Sequence, residues 1–190
     1  MEYHFQTTWN GANDTSAASE DFLELFESSV KWLLKNKANA TIVVTPATFA
    51  IGGLADRLTA AGYTVIDDDA SLLDDDVPGD LFIHTTGTSR FARIAKPVIV
   101  MNGPDMDDMI VGSIGSLVNF APGPGEIATP GHPAAGGKTG GFTVATGDLG
   151  FNLNFRFLPQ GAITLATVER TVPPAVTRLA DVDEMIAGTK

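Results

Sequence analysis

The chain has 190 residues, 44% of them hydrophobic and 18% charged, enough for one domain with its own core and too few for two comfortable ones. Its 23 acidic and 12 basic residues give a formal charge of −11, a field that repels polyphosphates and anionic membrane surfaces, so neither nucleic acid nor membrane is an expected partner. With no cysteine, the sequence excludes disulfides, thiolate zinc sites, iron–sulfur clusters and cysteine nucleophiles.

The opening stretch, MEYHFQTTWNGANDTS, has neither a basic start nor an apolar run. It is not a secretory signal, so a cytoplasmic location is the default expectation, with a virion or an extracellular assembly still open. Residues 1–18 are expected to form an arm or an edge strand, and 19–190 a single α/β domain. SEDFLELFESSVKWLLKNK then reads as a helix, with Ser19 as cap, Glu20 and Asp21 at the positive end and Lys35 and Lys37 at the negative end. Phe22, Phe26, Val30, Leu33 and Leu34 fall on one stripe.

ATIVVTP is a short buried strand, and ATFAIGGLADRLTAAG a helix stopped by Gly62. YTVIDDD, DLFIH and PVIVMN follow as strands, with SRFARIAK supplying one or two helical turns before the last. Continuous apolar runs separated by helical segments predict a mainly parallel sheet covered on both faces, a three-layer α/β sandwich. PGPGEIATPGHPAAGGKTGG is expected to be loop with at most a short strand inside it. GFTVAT, FNLNFRFL and AITLATVE add strands in the C-terminal third, and RLADVDEMIAGTK reads as a short helix.

Three features invite chemistry. GHPAAGGKTGG resembles a phosphate loop, but His132 stands where that pattern needs glycine, and a strand-like segment follows in place of a helix. The aspartates at 67–69, 74–76, 105, 107 and 108 read as solvated turns and a helix start, because consecutive carboxylates do not converge on one cation. No metal site and no cofactor are expected. His84 has hydroxyl neighbours, yet Gly-x-Ser-x-Gly occurs nowhere, so no catalytic triad is assembled from the sequence.

LADRLTAAGYTVIDDD, GDLFIHTTGT, AKPVIVMNGPDM and IATPGHPAAGG together resemble the class I glutamine amidotransferase-like fold, a flavodoxin-like architecture. The resemblance runs over about Ala40 to Val168 and is closest to divergent, non-amidotransferase modules of bacterial surface and secreted proteins. It implies a nucleophile turn at or beside Asn102 and Gly103, where a carboxamide cannot accept an acyl group. The family's late His-Pro-Glu element is echoed only by His132-Pro133, with Ala134 in place of the acid. Backbone donors at Thr85, Thr86 and Gly87, beside His84, are then expected to hold at most a small anion or polar ligand.

The sequence therefore predicts a non-catalytic structural or interaction module, a subunit of a homo- or hetero-oligomeric assembly such as a virion or a cell-surface complex. Trp9, Phe22, Phe26 and Trp32 are its candidate partner-binding residues. A sugar- or nucleotide-binding protein or hydrolase is the alternative, using His84, Thr85, Thr86, Gly87, Asn102 and Gly103.

Overall fold

Helix α1 (Glu20–Leu33) starts where its cap stands: the Ser19 hydroxyl accepts the Phe22 N–H at 3.1 Å, and Glu20 and Asp21 occupy the first turn. The computed structural model describes residues 3–6, 18–45, 54–67, 78–84, 96–100, 114–118, 121–144, 152–155, 163–171 and 182–189. Among these, α1 ends in a Schellman turn: the Asn36 N–H reaches Lys31 O at 2.8 Å and the Lys35 N–H reaches Trp32 O at 3.0 Å. Lys35 occupies the left-handed position of this turn, with φ 51°, and Asn36 follows at 59°. The helix therefore stops short of Lys35 and Lys37.

The chain then lays down β2 (Thr41–Thr45), helix α2 (Leu54–Ala60), β3 (Thr64–Asp67), β4 (Leu81–His84) and β5 (Val98–Val100). Gly62, at φ 91°, ends the α2 turn as expected. Strands β3, β2, β4 and β5 are neighbours in that order and parallel. The fold class is thus mixed α/β, with a parallel sheet.

Strand β1 (Tyr3–Gln6) lies inside the sheet and not at its edge, parallel to β5 on one side and antiparallel to β11 (Val182–Thr189) on the other. Beyond β11 come β10 (Ile163–Thr171), β7 (Ala121–Ile127) and β8 (Gly141–Phe142), all antiparallel, completing a nine-stranded sheet. Strands β6 (Ile114–Val118) and β9 (Asn152–Phe155) form a separate antiparallel pair.

Two local expectations are corrected. Residues 182–189 are strand, because β1 and β10 offer a ladder on each side, and these outweigh the helical pattern of a short segment. The Pro/Gly stretch holds a seven-residue strand, β7. Its β8 partners are Gly125 and Glu126 only, so Pro122 and Pro124 sit where the missing N–H breaks no β8 pairing. Gly125 is required there, since a Cβ would run into the Phe142 ring.

Phe22, Leu25, Phe26, Val30 and Leu33 of α1 share a core with Leu58 of α2 and with Ile42, Val44, Leu81, Ile83 and Ile99 of the parallel strands. Val43, Phe82 and Val98, whose positions alternate with those, are fully buried as well. Both faces of the parallel sheet are thus covered, which explains the unbroken apolar runs in the sequence. No described helix is long and apolar enough to cross a membrane.

Candidate functional site

The chain moves in one direction across the sheet from β1 to β2 to β3, then reverses to β4 and on to β5. Helices α1 and α2, which lead into β2 and β3, share one core against the sheet. Connections leaving β2 and β4 therefore depart in opposite directions. Their last residues, Thr45 and His84, are register partners, and His84 is in turn the partner of Val100. This is the switch point of an open α/β sheet, the place where such sheets open a crevice at their carboxyl edge.

His84 thus ends β4 at this switch point, and β5 ends at Val100, two residues before Asn102. Thr85, Thr86, Gly87, Asn102 and Gly103 lie outside the described residues, as do Trp9 and the acidic residues 74–76 and 105–108.

At the opposite edge of the same strands the polar groups bind one another. Asp80 accepts the Thr41 N–H at 3.0 Å and the Lys37 ammonium at 2.6 Å. Lys37, and then the Thr41 N–H, hold the Asp80 carboxyl below its usual range. Arg57 of α2 donates to Glu20 at 2.8 Å and also pairs with Glu27, tying the two helices together on the core face.

The glycine-rich segment 127–144 folds onto α1. Its Lys138 ammonium lies 2.7 Å from Glu24 and 3.0 Å from Asp21, and both contacts keep it protonated well above its ordinary range. Ser19 closes the same seam: its N–H donates to Val144 O at 3.1 Å and its hydroxyl to Thr143 O. A lysine held between two carboxylates, followed by a strand, has no phosphate to cradle.

His132 sits in this segment as the cap of a 3-10 turn (Pro133–Ala135), its Nδ1 accepting the Ala134 N–H at 3.2 Å. Burial lowers its pKa below 6.5. Its ring meets the edge of Trp32 with centroids 4.7 Å apart. Ala134 and Ala135 enter the core against α1, so the echo of a catalytic His-Pro-Glu element is a packing turn.

The proposed partner surface on α1 needs correction. Phe22 and Phe26 are 3% and 1% exposed and belong to the core, so they present nothing to a second molecule. Trp32 differs. It is half-buried and lines a cleft of about 480 Å³ with Ser28, Lys31, Lys35, Asn36, Pro133 and Gly136. The sequence reading missed this cleft, although Lys31 and Lys35, four residues apart and astride Trp32, were its visible half. Pro133 and Gly136 come from a segment about a hundred residues away, and no local pattern announces their arrival. Among the described residues no group of three histidine or acidic side chains is arranged to hold a metal ion.

No family model matches the chain, and neither a curated protein nor a solved structure matches it.

Proposed function

We propose that this chain is a non-catalytic structural or protein-interaction module, a subunit of a homo- or hetero-oligomeric assembly such as a virion or a cell-surface complex. The observation that carries the reading is the use made of the glycine-rich segment. Lys138 spends its ammonium on Asp21 and Glu24 of α1, Ser19 bonds the carbonyls of Thr143 and Val144 just after β8, and His132 spends its acceptor on a turn. The residues that would serve a reaction in that segment serve the fold. The absence of cysteine and the carboxamide at Asn102 point the same way.

The architecture we infer is a three-layer sandwich of the glutamine amidotransferase-like kind. It is supported by burial on both faces of the parallel strands and by the reversal of strand order between β3 and β4. The test is the mass of the native particle that contains the chain. Co-migration with a megadalton assembly is the expected result. A free monomer with robust turnover in a broad hydrolase screen, abolished by His84→Ala, would overturn it.

A second reading has one observation in its favour, the pairing of Thr45 with His84 at the switch point. In that case the crevice binds a sugar or a nucleotide. A thermal shift with such ligands, lost in His84→Ala, would establish it.

A further inference from the structure

We infer that the cleft between the last turn of α1 and the Pro133–Ala135 turn is a docking site for an acidic peptide segment of a protein partner, an apolar side chain flanked by carboxylates. The inference rests on the interaction-module reading and names the class of partner. Its apolar lining is Trp32, in a T-shaped contact with His132, and Pro133. Its charged lining among the described residues is cationic: Lys31 and Lys35 line it, and no described carboxylate does.

That lining is unusual for this molecule. The chain carries −11 overall, and the other cations that line its structural seams, Lys37, Arg57 and Lys138, are each paired with carboxylates. Lys31 and Lys35 enter none of these ion pairs. One in the last turn of α1 and the other just past its end, they bring two positive charges to a cleft with room for a few side chains and not for a folded domain.

The backbone supplies a second observation. Lys35 occupies the left-handed position that ends α1, with φ 51°, where glycine is the residue of lower energy. Asn36, also left-handed, stands beside it in the lining. A glycine at position 35 therefore relieves the backbone and removes the charge together, which separates a binding role of the side chain from a structural one.

The experiment uses the full chain with Trp9→Phe, so that Trp32 is the single indole. The probe is a synthetic peptide of the pattern Glu-Glu-Leu-Pro-Glu-Glu, with a control in which every glutamate is lysine. The acidic peptide is expected to change the Trp32 emission saturably, with an affinity that falls at least tenfold in 0.5 M salt. The control should leave the emission unchanged. Lys31→Glu/Lys35→Glu should lose at least tenfold in affinity at a temperature well below its melting point, which charge reversal at the negative end of α1 lowers modestly. Lys35→Gly should melt higher than the parent and bind more weakly, a combination that a purely structural lysine does not give.

Equal binding of the two peptides, equal binding by the charge-reversed variant, or no binding at millimolar peptide would overturn the inference. So would concentration-dependent self-association abolished by Lys31→Glu/Lys35→Glu, which would assign the cleft to a second copy of the chain. The module reading falls separately: an enzyme acting as a free monomer defeats it whatever the peptides do, and an intact large particle without peptide binding defeats only the docking site.

Discussion

Asp80, the residue preceding β4, accepts the backbone N–H of Thr41, the first residue of β2, at 3.0 Å. A side chain thus fastens the leading ends of two parallel neighbours whose carboxyl ends meet at the switch point in strand order. Replacing Asp80 by alanine should cost about 1–3 kcal/mol, because a strand-end N–H loses a charged acceptor. Asparagine, which keeps an acceptor oxygen, should cost less. Urea unfolding checks the order, and equal midpoints for the two variants would show that the acceptor oxygen facing the Thr41 N–H is idle.

Acid should weaken the fold in two windows. Hydrogen bonds from Arg57 to Glu20, from Lys138 to Asp21 and from Lys37 to Asp80 hold all three carboxyls below their ordinary values. The folded chain then binds fewer protons than the unfolded one, so this stability is complete above about pH 4–5 and is lost as pH falls through the depressed values.

His132 governs the earlier window. Burial lowers its pKa, so the folded state again holds fewer protons, and stability falls as pH drops below about 6.5 toward the lowered value. His132→Asn keeps an acceptor for the Ala134 N–H and removes the titration. Melting temperature should therefore decline more steeply below about pH 6.5 in the parent than in the variant, which gives up about 0.5–1.5 kcal/mol of ring contact with Trp32. Parallel pH curves for the two proteins would refute this.

Gly125 and Phe142 form one packing unit, the ring lying where a Cβ would project. Gly125→Ala should destabilise by about 1–3 kcal/mol through overpacking. Combined with Phe142→Ala, it should cost clearly less than the sum of the two single changes, since each removes the reason for the other's penalty. Strict additivity in a denaturant series would argue against the contact.

The two aromatic residues of α1 that the sequence grouped together should separate in energy. Phe26, 1% exposed, should lose about 3–5 kcal/mol on truncation to alanine, the cost of a buried ring and its cavity. Trp32→Ala should lose less, because Trp32 is only partly buried at the margin of that core.

How far the sequence could be read depends on the range of the forces involved. Ser19, the acidic first turn and the apolar stripe of α1 are local signals and locate the helix start to the residue. The parallel strands show themselves by being apolar throughout, as burial on both faces demands. What escaped was decided at long range. β11 is a strand because β1 and β10 flank it, and Phe22 and Phe26 were indistinguishable from a docking face until the sheet beneath them was known. His84 was placed at a strand end by its apolar neighbours, but only the strand order puts it opposite Thr45. The Trp32 cleft needs Pro133 and Gly136, delivered by a turn that no periodicity connects to α1.

Strand β1 links the parallel and antiparallel parts of the sheet, with Tyr3 opposite Thr189 and His4 opposite Val98. A ribosome must therefore have released residue 189 before residues 3–6 can find both neighbours. The parallel half can assemble early around α1, while the seam between the halves is left as a late, slow event of high contact order. During synthesis β1, already able to pair with β5, would display an open edge until β11 arrives, which makes the timing of that closure a determinant of yield as well as of structure.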